Sequence, residues 1–149
     1  MKNPLRVDEM INPHVSVDCV VLGFDGEHLK VLLVKQTGHE ESGYYNNMKL
    51  PGSLIYNDED LDEAAQRVLY ELTGLNELHL IQFRAFGSKN RTNNPKDTKW
   101  LERFHQLNQK VERIVTITYL TMVKIDKKLT HLSDRYEACW TDIDALCPL

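Results

Sequence analysis

The sequence has few cysteines, no excess of positive charge and no long apolar run. Its 149 residues include three cysteines, Cys19, Cys139 and Cys147, which are too few and too scattered for a disulfide framework or a zinc site. A formal net charge of −4 argues against this segment alone binding a phosphate backbone. No apolar stretch approaches membrane-spanning length, and residues 1–13 lack the apolar centre of a signal peptide. We therefore expect a cytoplasmic protein with reduced thiols and no membrane segment.

The remaining composition, 42% hydrophobic and 27% charged, is ordinary for a soluble globular protein and predicts a single domain over residues 1–149. Residues 1–13 are expected to form an N-terminal arm, and residues 88–112 a long insertion with a helical pattern at 97–109. Residues 35–49 read as a polar loop that could bind a ligand, because it is too long for a simple connection. Patterns rich in β-branched or alternating residues predict strands at 14–24, 29–34, 78–86, 113–125 and 138–140, and a closing helix from Ile143.

The central stretch runs from Pro51 to Leu75 and predicts a turn, an acidic approach and a helix. Asp60 and Glu63 have the spacing of a capping box, and Gly74 suits the left-handed position after the helix. One arc of the helix is apolar, while Glu63, Arg67 and Glu71 form an i, i+4 ladder beside it. The apolar arc consists of Leu61, Ala64, Ala65, Val68, Leu69 and Leu72.

This stretch resembles the Nudix box, the loop–helix–loop motif Gx5Ex7REUxEExGU in which U is aliphatic. Counting back from Gly74-Leu75, the matching positions are Glu59, Arg67, Leu69, Glu71, Gly74 and Leu75. The departures are Ser53 for the first Gly, Val68 for the Glu after Arg, and Leu72 for the second Glu of the Glu-Glu pair. The resemblance implies an α/β/α sandwich with a mixed β-sheet over residues 14–146, and structural roles for Gly52, Arg67 and Gly74.

The departures bear on catalysis. Cleaving a pyrophosphate requires divalent cations, and Mg²⁺ or Mn²⁺ is held by carboxylate oxygens. In the family the glutamates of the box supply those oxygens, yet two of the three expected metal ligands are here the aliphatic Val68 and Leu72. Glu71 alone would hold a metal weakly. Glu59 could brace Arg67, as the resemblance implies, or belong to a solvated acidic run. We therefore expect a Nudix fold without an effective metal site.

The degenerate helix resembles the Nudix-related transcriptional regulators, in which a Nudix-like domain senses a small molecule and a C-terminal winged helix binds DNA. Known types respond to ADP-ribose or to a sugar such as arabinose. The sequence stops at Leu149 without a polar tail or a finished helix, so we expect it to continue into such a DNA-binding domain. By analogy, we expect a homodimer that binds a sugar or an ADP-ribose-like nucleotide and meets DNA only through the further domain.

Cationic and aromatic side chains supply the candidate ligand contacts. Guanidinium and ammonium groups suit a nucleotide or a sugar phosphate, and aromatic rings can stack on a base or a sugar face. Each also has a plainer interpretation, as a surface charge or a packing residue. The cationic candidates are Arg91, Arg113, Arg84 and Lys49, and the aromatic candidates are Tyr45, Phe86 and Tyr44.

Two other functions fit the sequence. The first is a Mg²⁺-dependent Nudix pyrophosphohydrolase acting on a nucleoside diphosphate linked to another group. In that case Glu71 and Glu59, aided by a carboxylate such as Glu112, would hold the metal and position water. The second is a protein–protein interaction module on an inactive Nudix scaffold, with the insertion at 88–112 as its recognition surface. Metal-dependent turnover separates the hydrolase from the rest, and a saturable small-molecule site separates the sensor from the interaction module.

Overall fold

The computed structural model describes residues 10–40, 43–90, 98, 101–102 and 113–146, with side chains for all of these except 36–40 and 43–46. Within these residues the fold is α/β with a mixed sheet, as predicted, and the sheet has seven strands where the sequence patterns indicate five. The strands are β1 (Ile11–Phe24), β2 (Leu29–Glu40), β3 (Gly43–Lys49), β4 (Gly52–Tyr56), β5 (Ile81–Phe86), β6 (Val115–Lys124) and β7 (Cys139–Asp142). The helices are α1 (Leu61–Thr73) and α2 (Ile143–Leu146), with a 3₁₀ turn at Lys128–Thr130. None of the helices in the described residues has the length and apolar character needed to cross a lipid bilayer.

Strand β1 is the centre of the sheet, whose strand order is β3-β2-β1-β6-β5. On one side it pairs with β6 in parallel, from Val15↔Val115 to Phe24↔Lys124. On the other side it has two antiparallel partners, because its last residues pair with β2 while Ile11 to Asp18 pair with β4. The sheet therefore divides along β1. Pro51 lies in the connection from β3 to β4, and its carbonyl accepts a hydrogen bond from the Cys19 N–H of β1 at 2.8 Å.

The two faces of the sheet have different surroundings. Helix α1 covers the face that carries the odd-numbered residues of β1: the Cys19 thiol donates to the Ala65 carbonyl at 3.6 Å, and the Tyr119 hydroxyl donates to Asp62 at 2.5 Å. Burial, with a smaller contribution from the Asp18 charge, raises the pKa of the Cys19 thiol to about 12, so this cysteine is not a nucleophile. The even-numbered residues of β1 lie on the opposite face, which we call the second face.

Helix α1 forms where the sequence predicts it. The Glu63 carboxylate accepts from the Asp60 N–H at 2.9 Å, which completes a capping box. At the other end Gly74 has φ 82°, and its N–H donates to the Tyr70 carbonyl. The buried side of the helix is small and aliphatic: Ala64, Ala65, Val68, Leu69, Leu72 and Thr73. The segment 126–138 crosses the C-terminal end of the helix, where the Ser133 N–H donates to the Thr73 carbonyl at 2.8 Å.

Two sequence predictions are wrong between residues 35 and 56. The predicted loop at 35–49 is a hairpin, in which β2 continues to Glu40 and pairs with β3 from Val34↔Lys49 to Glu40↔Gly43. The predicted turn at Pro51–Ser53 leads directly into β4, whose Gly52 and Ser53 already pair with β1. The hairpin lacks the hydrophobic alternation that marks a half-buried strand, and the short β4 is defined by its pairing with β1 rather than by its own pattern. In the insertion, Thr98, Leu101 and Glu102 are helical as predicted; Trp100 and the rest of 91–112 lie outside the described residues.

Gly23 allows the end of β1 to pack against the last strand. A Cβ at this position would lie 2.7 Å from Ile125 Cγ1 and 2.7 Å from Trp140 Cζ3. The Trp140 ring is held in place because its Nε1–H donates to the Leu129 carbonyl at 2.9 Å. Because the ring is held there, a side chain at residue 23 would require the packing beside Trp140 to shift.

We predict that Gly23→Ala lowers the free energy of unfolding by about 1–3 kcal/mol, the usual cost of forcing extra volume into a packed core. Gly87→Ala is the matched control, because a Cβ there would meet only Val115 at 3.7 Å and 3.9 Å. Urea unfolding followed by tryptophan fluorescence measures both variants. Equal free energies of unfolding for the two variants would show that the core beside Trp140 accommodates the extra methyl group without loss of stability.

Candidate functional site

The spacing of the box brings Glu59 and Arg67 together in a buried ion pair. The Glu59 side chain is fully buried, and only 9% of the Arg67 side chain is exposed. Arg67 Nε lies 3.2 Å and 3.0 Å from the two carboxylate oxygens, and its Nη2 lies 2.8 Å from Oε1. Its Nη1 donates to Glu71 Oε2 at 3.0 Å, one turn further along the helix. The guanidinium therefore bridges a buried carboxylate and a partly exposed one.

The same guanidinium also contacts β4 and so holds α1 against that strand. Arg67 Nη2 also donates to the Leu54 carbonyl at 3.1 Å, and the guanidinium carbon lies 4.3 Å from the centre of the Tyr56 ring. The Tyr56 N–H in turn donates to Glu59 Oε1 at 2.9 Å. Burial by itself lowers the pKa of Arg67, but the hydrogen bond to Glu59 and the charges of Glu71 and Glu59 outweigh it, so the pKa is raised. This geometry favours a bracing role for the two residues over a solvated acidic run.

The two aliphatic replacements in the box lie inside the core. Val68 and Leu72 have no exposed surface, and Leu129, Leu132 and Tyr136 pack against the cluster that contains them. A carboxylate at either position would be buried among apolar groups instead of facing a cation and water. Among the described residues, no group of three or more His, Cys, Asp or Glu side chains is placed to hold a metal ion. The donor set therefore does not fit the Mg²⁺ centre that the Nudix box implies.

A pocket of about 210 Å³ lies on the second face, away from α1. Strand β1 contributes Ser16 and Asp18, β6 contributes Thr116, and the helical residues Thr98 and Leu101 border it. The Ser16 and Thr116 hydroxyls are 2.7 Å apart across the parallel pair. The pocket thus combines hydroxyls, a carboxylate and an ammonium group with an aliphatic wall. Its lining residues are Ser16, Asp18, Lys49, Leu50, Gly52, Ser53, Thr98, Leu101, Ile114 and Thr116.

The absence of a side chain at Gly52 leaves room for the Asp18 carboxylate. The two residues are direct partners in the β1–β4 ladder, and a Cβ at residue 52 would lie 1.9 Å from Asp18 Oδ1. Any side chain at this position would therefore displace the carboxylate from its place beside the pocket. Strand β4 connects the two candidate regions, since Gly52 and Ser53 line the pocket while the next carbonyl, that of Leu54, accepts from Arg67.

Only some of the site residues predicted from the sequence lie at the pocket. Lys49 and Gly52 line the pocket, whereas Glu59, Arg67 and Glu71 do not. Gly74 ends α1. Arg91, Glu112 and the side chains of Tyr44 and Tyr45 lie outside the part of the chain that is described.

Arg84, Phe86 and Arg113 lie together near the end of β5. The Arg84 guanidinium stacks on the Phe86 ring at 4.9 Å, and Arg113 Nη2 donates to the Gly87 carbonyl at 3.0 Å. Phe86 is the cross-strand partner of Thr116, so this cluster adjoins a pocket-lining residue without lining the pocket itself.

Sequence reasoning missed Asp18, Ser16 and Thr116. A signal was present, because Ser16 and Asp18 alternate with Val17 and Cys19 and are followed by the apolar run from Val20 to Leu22. Polar side chains at every second position of a central strand indicate a face that is not packed against aliphatic residues. Their partner Thr116 could not be assigned to the same site without the parallel β1–β6 register.

Comparison with known proteins identifies the family. The NUDIX domain model matches residues 12–149, so the chain belongs to the NUDIX domain family. No curated protein matches the chain.

Several solved structures share the fold at low identity. The NUDIX domain of Shewanella oneidensis NrtR complexed with ADP ribose is 22% identical with a TM-score of 0.62, covering 89% of this chain and 75% of that one. A structure of NrtR from the same organism is 20% identical with a TM-score of 0.63, covering 91% of this chain and 55% of that one. A MutT/nudix family protein from Enterococcus faecalis is 24% identical with a TM-score of 0.64, covering 88% of this chain and 44% of that one. The chain thus spans about half of these two longer relatives.

We predict that Glu59→Gln and Glu71→Gln differ sharply in cost. Glu59 is fully buried against Arg67, so its neutralisation leaves a buried, poorly paired guanidinium and lowers the free energy of unfolding by about 3–5 kcal/mol. Glu71 is 39% exposed, and its neutralisation costs about 0.2–1 kcal/mol. Thermal and urea unfolding measure both. Similar costs would mean that the Arg67–Glu59 pair does not brace the box.

We also predict that restoring the box glutamates does not restore a metal site. Val68→Glu and Leu72→Glu each place a carboxylate at a position with no exposed surface, which we expect to destabilise the fold by on the order of 3–5 kcal/mol. Val68→Met and Leu72→Met are the matched controls, since they change shape without adding charge. The measurements are unfolding free energy and Mg²⁺ titration by calorimetry. A stable double Glu variant that binds Mg²⁺ would contradict the buried placement of these two positions.

Proposed function

We propose that this Nudix domain is non-catalytic and binds a small polar ligand, a sugar or an ADP-ribose-like nucleotide. The observation that carries the proposal is the full burial of Val68 and Leu72 at positions where the family's box has metal-binding glutamates. Without two of its three carboxylates the helix cannot neutralise two phosphoryl groups and activate water. Glu71, the remaining box carboxylate, is engaged by Arg67. We therefore assign the domain a role in binding a ligand rather than in cleaving it.

The second-face pocket is the proposed binding site. Hydroxyl groups of a sugar are both donors and acceptors, and the Asp18 carboxylate, the Lys49 ammonium and the hydroxyls of Ser16 and Thr116 offer the complementary set. Leu101 and other aliphatic lining residues provide a wall for the C–H face of a sugar ring. At about 210 Å³ the pocket lies below the common range for drug-sized ligands. Its size favours a monosaccharide, or one ribose of a nucleotide, over an entire dinucleotide.

We propose further that the domain is the sensor of a transcriptional regulator. The resemblance of the degenerate box supports this, and the structures of NrtR, which include complexes with ADP ribose and with a 27mer DNA, share the fold. Since this chain spans 55% of that NrtR chain, contact with DNA would belong to an additional domain. In that arrangement the ligand would act through its different affinity for two states of a dimer.

We predict that one sugar or nucleotide raises the melting temperature without being turned over. The panel includes pentoses, hexoses, ADP-ribose, NAD and nucleotide sugars, each with and without Mg²⁺ or Mn²⁺, and phosphate release is assayed in parallel. Asp18→Asn and Lys49→Met should weaken binding at least about tenfold, because each loses a charge-assisted hydrogen bond to the ligand. Asp144→Asn and Lys124→Met, both at exposed positions away from the pocket lining, are the matched controls.

The alternative outcomes discriminate the other functions. Metal-dependent turnover that disappears in Glu71→Gln would establish a hydrolase and overturn the proposal. No melting shift and no turnover with any compound would favour the protein-interaction module. Binding that survives Asp18→Asn and Lys49→Met unchanged would place the ligand outside this pocket.

A further inference from the structure

The charge of this chain is unevenly distributed. Residues 81–90 and 113–125, which contain β5 and β6, hold four of the 18 lysine and arginine residues and none of the 22 aspartate and glutamate residues. The net charge of −4 therefore conceals a basic region on an otherwise acidic chain. Among the described side chains, none of these four cations forms an ion pair. The four are Arg84, Lys89, Arg113 and Lys124. A positive surface of this kind attracts an anionic partner.

Exposed apolar side chains lie on the second face beside two of these cations. The residues of β5 that pair with Thr116, Thr118 and Leu120 share this face with the even-numbered residues of β6 and β1, and so does the β2 residue that pairs with Phe24. Phe86 is 36% exposed, Phe24 48% and Met122 72%. We call this set the aromatic–cation surface; it consists of Phe24, Leu29, Ile81, Arg84, Phe86, Met122 and Lys124.

Each ring of the aromatic–cation surface has a cation beside it. The Arg84 guanidinium carbon lies 4.9 Å from the centre of the Phe86 ring. Phe24 and Lys124 are direct partners in the parallel β1–β6 pair. The two ring–cation pairs are roughly 26 Å apart along β6, at ~3.3 Å per residue, and Met122 lies between them. The surface thus presents ring, cation, apolar group, cation and ring in succession.

The carboxylates that border this surface are already engaged or distant. Asp25 accepts hydrogen bonds from two backbone N–H groups, at 2.9 Å and 2.7 Å, and pairs with Lys30 at 3.4 Å. Asp126 accepts a backbone N–H at 3.1 Å. In the cross-strand row of Arg84 the first carboxylate is that of Asp18, two strands and so about 10 Å away. The cations of the surface can therefore contact an anion from outside the chain.

A single strand of nucleic acid has the matching chemistry. Its phosphates pair with cations, and every base has a π-face that stacks on an aromatic ring or a guanidinium plane. A duplex would leave the exposed rings without a partner, because its base faces are stacked inside the helix. An acidic amphipathic helix would need a continuous apolar groove, whereas cations here alternate with rings. We propose that the aromatic–cation surface binds single-stranded nucleic acid, with bases stacked on Phe86 and Phe24 and phosphates held by Arg84 and Lys124.

Fluorescence anisotropy of labelled oligodeoxythymidine and oligouridine tests the proposal. Probes of about 12 nucleotides exceed the span of the surface even at the ~3.4 Å rise of a stacked strand. At about 150 mM salt we expect saturable binding with a Kd of roughly 1–100 µM, the range of binding that is not sequence-specific. The logarithm of the binding constant should fall with the logarithm of the salt concentration with a slope of about −1.4 to −2.8, for two to four phosphate contacts.

Removal of the rings tests stacking. Phe24→Ala and Phe86→Ala should each weaken oligonucleotide binding at least about fivefold, the lower end of the loss when a stacking ring is removed. Binding of a duplex of the same length should not change. Phe24→Leu and Phe86→Leu keep an apolar side chain without a ring and give the same test should alanine destabilise the fold. Tyr70→Ala is the control, because Tyr70 is 56% exposed but lies on α1.

Removal of the cations tests the phosphate contacts. Arg84→Met and Lys124→Met should each weaken binding and reduce the magnitude of the salt slope by about 0.7, since each loses one phosphate contact. Arg135→Met is the matched control: its guanidinium also lies over a ring, that of Tyr136 at 5.5 Å, but in the segment 126–138 beside α1. A salt slope that is unchanged in both variants of the surface would place the phosphates elsewhere and overturn the proposal.

Polyglutamate distinguishes nucleic acid from other anionic partners. If polyglutamate displaces the oligonucleotide at equal concentrations of charge and the ring variants bind like the wild type, the surface acts through charge alone and the proposal is overturned. Binding of polyglutamate without binding of either oligonucleotide would indicate an acidic protein partner instead and would also overturn it. So would the absence of oligonucleotide binding at every salt concentration.

The aromatic–cation surface and the ligand pocket fail separately. Asp18→Asn and Lys49→Met should leave oligonucleotide binding unchanged, and Phe24→Ala should leave the melting shift from the small-molecule ligand unchanged, because Phe24 does not line the pocket. A wild-type chain that responds to a small ligand but binds no oligonucleotide rejects only this surface. A chain that binds the oligonucleotide but responds to no small ligand rejects only the ligand site.

Discussion

The Glu59 carboxylate is shut off from water, and the fold around it is arranged to supply the hydrogen-bond donors that water would otherwise provide. Arg67 satisfies both oxygens and simultaneously reaches the Leu54 carbonyl and the Tyr56 ring. The loop before α1, the helix itself and β4 are thereby fixed relative to one another by a single guanidinium. Because β4 pairs with β1, this placement extends to the centre of the sheet.

The Arg67–Glu59 pair is present in a helix that has Val68 and Leu72 at two glutamate positions of the family's box. Two positions that face metal in the family's box face the hydrophobic core here, and each fully buried aliphatic side chain contributes about 1.5–3 kcal/mol of stability. The segment 126–138 crosses the same region, where the Ser133 N–H donates to the Thr73 carbonyl and Leu129 and Leu132 pack against the core. A glutamate restored at either position would therefore have to displace packed aliphatic groups before it could reach a cation.

Polar chemistry is found on the other face of the sheet. Asp18 and Thr116 are brought together by the parallel pairing of β1 with β6, and Gly52 leaves the space that the Asp18 carboxylate occupies. The pocket and the exposed β5 edge share this face, because Phe86 registers with the pocket residue Thr116. A single β-sheet thus separates the side that carries the box helix from the side that carries the polar pocket.

The sequence by itself determined α1, its caps and the strands whose apolar periodicity is strong. Asp60, Glu63 and Gly74 act on neighbours within four residues, so their effect is local and can be read directly from the spacing. That Val68 and Leu72 stand where the family's box has glutamates was likewise evident from residue type. Tertiary structure alone decided that residues 35–49 form a hairpin edge and that Gly52 begins a strand, because those elements depend on pairing with distant residues. It also decided which polar residues meet, since Ser16 and Thr116 are 100 positions apart and only the parallel register joins their hydroxyls.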